Sequence, residues 1–253
     1  MRYPIFISTL ILLLVAGPLH SQTAASLALN LPDWSGRIPE HEQSVAYQVF
    51  SRQYFCLSDW NATGVGVSWH APGAVSGVLT CRDGISGFAR YHLYLSHGRQ
   101  IGMLSTTLQL RFTLISAKPR PPAFRLGANA RILCHMTDNA AAGIELYDIP
   151  GWLLPDTPLT CGAPRLKALV RFIPDPQLAV MLALDISSLS VGPFLGGVRV
   201  ELPANLALEL LVHLMPGGVG VGLTWSPDRY AIRALFDHQM NTGLTPTFLM
   251  EYR

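Results

Sequence analysis

Charge is what this sequence has least of. Asp, Glu, Lys and Arg together make up 13% of the residues, against roughly 25% in an ordinary soluble domain. Surface charge keeps folded monomers apart, so a surface this poor in charge needs cover, from partner subunits or from lipid. The formal net charge of +2 leaves nucleic-acid binding without an electrostatic case. Of the 18 basic residues only Lys118 and Lys167 are lysines. Long apolar runs are missing too: past the first residues, none reaches the roughly 18 that a spanning helix needs. No CxxC and no cysteine–histidine cluster points to zinc, so no metal and no cofactor are expected. There is no HExxH, no GxSxG and no glycine-rich loop between a strand and a helix. The reading therefore leans away from an enzyme and names no catalytic residue.

The chain opens with Met1-Arg2-Tyr3, a short positive region, then the apolar stretch Ile5 to Ala16, then small and polar residues. That is the pattern of a secretory signal peptide over residues 1–21, with cleavage as late as residue 25. The nearest cysteine is Cys56, so the cleavage site offers nothing to lipidate. The expected setting is exported: periplasm, cell surface or outer membrane.

The four cysteines, Cys56, Cys81, Cys134 and Cys161, close two loops of similar length if they pair as neighbours. In an oxidising compartment that spacing suggests two disulfides, although four cysteines allow three connectivities. Between the pairs lies Ala117-Lys118-Pro119-Arg120-Pro121-Pro122, which proline holds extended. These features suggest two β modules, residues 22–117 and 124–253, joined by a stiff linker over 118–123. An ordinary loop within one domain is the alternative.

Alternation at period two recurs along almost the whole chain. Leu206, Leu208, Leu210, Val212 and Leu214 form one apolar comb, and Val219, Val221, Leu223 and Trp225 form the next. Turn signals such as Pro216-Gly217-Gly218 and Ser226-Pro227-Asp228 separate the combs. Four consecutive antiparallel strands are expected over 206–215, 219–225, 229–237 and 247–252. Short helical stretches are expected at 43–50 and 138–142. All-β is the fold class.

Two architectures fit. In a disulfide-stabilised β-sandwich the combs face a second sheet; in a small outer-membrane β-barrel they face lipid and the alternate residues line the lumen. Gly220, Gly222 and Thr224 suit a crowded barrel interior, whereas Ala179, Met181 and Ala183 make a poor polar lumen. The scattered aromatics show no girdle. The sandwich is the preferred expectation.

Dispersed His92, His97, His135 and the Asp237-His238 pair select no catalytic constellation, and neither do Glu145 and Asp148. Trp60 and Trp152 fall in loops and are the candidate ligand-contact residues, since Trp presents a broad apolar face with a polar edge. Leu27, Leu29 and Leu31 alternate in an uncharged segment that could pair with a neighbour's sheet edge. The functional expectation is a non-enzymatic structural or adhesive envelope protein, such as a surface-appendage subunit, whose partners are other envelope subunits or copies of itself. Alternatives are a small outer-membrane pore or scaffold, with a membrane as partner, and a secreted hydrolase.

Overall fold

The computed structural model describes residues 44–54, 60–153, 164–187, 190–214, 217–227, 229–240 and 243–252. Fourteen antiparallel strands among these residues close into one barrel. They are β1 (Ser44–Gln53), β2 (Asn61–Ala71), β3 (Ala74–Ile85), β4 (Phe88–Ile101), β5 (Leu104–Ala117), β6 (Arg120–His135) and β7 (Ala140–Tyr147). After a one-turn helix α1 (Ile149–Leu153) come β8 (Arg165–Asp175), β9 (Leu178–Ser187), β10 (Ser190–Leu202), β11 (Leu206–Leu214), β12 (Gly217–Trp225), β13 (Tyr230–Gln239) and β14 (Gly243–Tyr252). Each strand pairs with its neighbours in sequence, and β1 closes the ring on β14 through Tyr47↔Tyr252 to Arg52↔Thr247. No edge is left over to template pairing with another chain.

Closure overturns the sandwich: there is one sheet, and it returns to itself. The combs at 206–214 and 219–225 are strands as expected, but their apolar residues point outward. Leu208, Leu210, Val221 and Leu223 are all about half exposed, and Ala207, Glu209, Leu211, Gly220, Gly222 and Thr224 are buried within. Period two sorts side chains onto two faces without saying which face is inside. A membrane reverses the answer that water would give. Strands of this length suit a bilayer, which takes about 9–11 residues of tilted strand to cross.

The two-module division is corrected too. Ala117 pairs with Arg120 across a tight turn, and Pro121 and Pro122 continue into β6. The Lys118 N–H donates to the carbonyl of Gly87 in the adjacent β3–β4 turn. The prolines thus begin a strand instead of spacing two domains. Cys81 and Cys134 are free thiols, so neither neighbour disulfide forms. Cys81 shares the inward face of β3 with Leu79 and Asp83, whereas Cys134 shares the outward face of β6 with Ile132. Their expected partners, Cys56 and Cys161, lie outside the described residues, as do Leu27, Leu29, Leu31 and the signal-peptide segment. The expected helix at 43–50 is strand β1, because its inward residues Ala46, Gln48 and Phe50 alternate with outward ones. The stretch 138–142 is a bend leading into β7.

One rim carries a row of aromatic residues, of which Tyr47, Trp69 and Trp225 are exposed on the outer wall and Tyr252 is buried. Tyr47, Tyr252 and Tyr230 stand in register on β1, β14 and β13, and the Tyr230 and Tyr252 rings lie 5.0 Å apart. Trp69 and Trp225 continue the row at the same end, both about half exposed. Amphipathic rings at this level form the girdle of a membrane barrel. It escaped sequence reading because its members come from distant strands.

Candidate functional site in the barrel interior

Charge missing from the outer wall is gathered inside. Asp83, Arg131, Glu145, Asp148, Arg171, Glu209, Asp237 and Glu251 are all buried. Without partners such groups would be costly; here they form networks between neighbouring strands.

The first network stands on β6, β7 and β8. Arg131 Nε donates to Glu145 Oε1 at 2.6 Å, Tyr147 donates its hydroxyl proton to Oε2 at 2.7 Å, and Lys167 Nζ lies 3.6 Å from the same oxygen. Register supplies the geometry: Arg131 faces Glu145, and Glu145 faces Lys167. Above it, the chain turns inward. The Asp148 N–H donates to Asn129 Oδ1 at 3.0 Å, and Asn129 donates to Gln109 at 3.1 Å. Asp148 takes a positive φ of 54°, which aims α1 toward β6.

The second network depends on what β12 lacks. Its inward positions are Gly218, Gly220, Gly222 and Thr224, so side chains of β11 and β13 meet over a bare strand. Arg233 of β13 pairs with Glu209 of β11 across Gly222, while Arg199 Nη1 and Thr224 Oγ1 donate to Glu209 at 3.2 and 3.1 Å. His213 Nε2 reaches Asp237 Oδ1 at 3.1 Å in the same way. A Cβ on Gly222 would meet the Cβ of Glu209 at 3.1 Å and Leu235 Cδ1 at 3.3 Å.

Between these networks runs an apolar arc. Phe50, Leu79, Tyr94, Leu211, Leu235 and Leu249 are buried on the inner wall and belong to one cluster, with Met181 and Ala179. Ala179, Met181 and Ala183 therefore do face the lumen; they extend the arc, and their apolar character was no argument against a barrel. Glycines again make the room: Gly64 faces Phe50 and Cys81, and a Cβ there would collide with the Phe50 ring. The Gln48 amide is 1% exposed, and neither its N nor its O has a protein partner. Among the described residues this amide is left without a partner, a state that an ordered water would relieve.

Trp60 stands where the chain enters β2. Its indole N–H donates to Asp83 at 3.0 Å, its ring meets Tyr54 edge-on at 6.1 Å, and Arg52 lies 5.3 Å over the Tyr54 ring. Asp83 also pairs with Arg90. Trp152 is on α1. His92 bonds with Thr113 at 2.8 Å, His97 with Ser76 at 2.9 Å, and His135 with Ser105 at 2.7 Å.

No protein-family model matches the chain, and no curated protein sequence does either. Among solved structures it is similar to the CymD monoaromatic hydrocarbon channel, with a TM-score of 0.52 over 83% of this chain and 87% of that one, at 9% identity. A mutant of the Rh. blastica porin aligns with a TM-score of 0.46 at 7% identity, over 83% of this chain and 99% of that one. The likeness is one of fold. With the apolar outer wall and aromatic rim, it gives an outer-membrane type of barrel and agrees with the expectation of an envelope protein.

The networks missed at sequence level, centred on Glu145 and Glu209, had one legible signal. Glu209 stands in the alternate set of an apolar comb, as Glu145 does between Ile144 and Leu146. A lone carboxylate at such a place is affordable only where the alternate face meets polar partners.

Proposed function

We propose that the protein is a passive channel for small solutes with an apolar body and at most a small polar group. One observation carries this reading: the inner wall combines an apolar arc with networks in which each buried carboxylate is held by cations. A pore for ions would leave its charges free to attract them; here Glu145 and Glu209 are each held by two cations. Phe50, Leu79, Tyr94 and Leu235 offer a surface on which a hydrocarbon ring or chain can slide. Tyr54 and Trp60 offer an aromatic step at the rim. The CymD channel, similar in fold, is a channel for monoaromatic hydrocarbons, which agrees with such a solute class.

The test is permeability. Cells that lack general porins and produce this protein should take up labelled toluene faster than control cells, with little gain for a sugar of similar size. In planar bilayers the protein should conduct salt weakly. Phe50→Asp together with Leu235→Asp should abolish the toluene gain while the barrel still assembles. Strong salt conductance with sugar uptake and no toluene gain would make this a general pore, and no flux of any kind would make it a scaffold.

A further inference from the structure

The outer wall is apolar over most of its height, and one polar row on it crosses β1 to β3. Ser51, Thr63 and Arg82 stand side by side along one outward row, with Ser51↔Thr63 and Thr63↔Arg82 in register. They occupy the floor of a trough of about 810 Å³. Phe112 and Phe124 rise on one flank, their rings 6.3 Å apart, and Phe248 and Ile232 rise on the other. Small side chains in its floor leave the space that the flanking rings enclose.

Arg82 decides what would fill it. It is exposed and, among the described residues, is the one cation lining the trough. Among the described residues no carboxylate pairs with it. It stands three positions before the end of β3 at Ile85, toward the rim opposite the tyrosine row. A guanidinium against lipid costs free energy that grows with depth, so one held near an interface beside hydroxyls calls for an anion. A guanidinium binds phosphate oxygens in a two-pronged manner that suits this fixed position. Deeper than Arg82, the trough is lined by Val49, Val65, Leu93 and Met250, with the Thr80 hydroxyl turned to the Val65 carbonyl.

We propose that this trough seats a phosphate-bearing membrane lipid, its phosphate on Arg82 with Ser51 and Thr63 beside it, and an acyl chain between the Phe112–Phe124 and Phe248 flanks. The site lies outside the barrel and is independent of what passes within.

Native mass spectrometry of the detergent-purified protein tests it. Phosphatidylglycerol should be retained at one molecule per barrel, and diacylglycerol with the same chains should not. Arg82→Gln should lower phosphatidylglycerol retention by about tenfold or more, as loss of a charge-assisted hydrogen bond implies. Arg99→Gln, an outward arginine near the other rim, should leave it unchanged. Val65→Trp, which fills the trough while leaving Arg82, should also displace the lipid, with barrel assembly verified by a heat-modifiable band. Equal retention of diacylglycerol, or retention indifferent to Arg82→Gln, would overturn the proposal. A dimer of barrels that Arg82→Gln dissolves would overturn it too, by giving the trough to a second copy.

Discussion

Arg131 and Glu145 face each other across β6 and β7, both nearly inaccessible, with Nε and Oε1 2.6 Å apart. The pair sits inside a cylinder whose outside is greasier than its inside. Glu145→Ala should therefore be costly, because it strands Arg131 and Lys167 beside each other. Removing one member of a buried pair typically costs 3–5 kcal/mol, and about 3 kcal/mol is expected here, read from urea unfolding in detergent. The exchange Arg131→Met with Glu145→Met should cost less than Glu145→Ala alone, since neither charge is then left behind.

Val221 stands midway along β12 on the outer wall, half exposed. Val221→Arg should destabilise the barrel by about 2–4 kcal/mol, the cost of a cation near the bilayer midplane. Val221→Leu should be neutral. Refolding into phospholipid vesicles from urea measures both. A soluble sandwich would show the opposite sensitivity, with the arginine tolerated at so exposed a position.

The glycines divide by what stands over them. A Cβ on Gly64 would press on the Thr80 carbonyl at 2.6 Å and on Cys81 Cβ at 2.7 Å, and a backbone cannot step aside. Gly64→Val should block closure of β1 to β3 and leave little heat-modifiable barrel. On the outer wall Gly196 would meet nothing nearer than Phe194 at 3.7 Å, so Gly196→Ala should change stability by no more than about 0.5 kcal/mol.

Cys81 and Cys134 are both free and face opposite sides of the wall. The double variant Cys81→Ser, Cys134→Ser should assemble with unchanged thermal stability, and wild-type stability should not respond to reductant. A drop of several degrees on reduction would restore the neighbour disulfides that the sequence suggested.

Strand content was legible because alternation is a backbone property: every second residue shares a face whatever the solvent. Leu206 to Leu214 could be recognised as a strand before anything was known of its surroundings. Which face was inner was not legible there, since a comb of leucines looks the same against a second sheet and against lipid. Gly220, Gly222 and Thr224 held the better clue. Small residues opposite large apolar ones mean that the small side is crowded, and that side is the lumen. Ala179 and Met181 misled because a lumen was assumed to be polar throughout, whereas the apolar arc is part of this one. The networks of Glu145 and Glu209 draw on consecutive strands but on cations and carboxylates 10 to 24 positions apart, and no local pattern announces that Arg233 will reach Glu209 over Gly222. Paired cysteines and a proline run suggested modules because both are read by spacing, and spacing is blind to the hairpin that joins β5 to β6.

Fourteen is an even number, so the start of β1 and the end of β14 come to the same rim, as neighbours at Tyr47 and Tyr252. Around the cylinder, then, there is no first strand. Any turn on the opposite rim, such as the one at Gly87, could serve as a new beginning if the old ends were bridged by a short linker, and the same wall would form. The order in which the ribosome delivers these strands is a fact about history; the object they make has only a circumference.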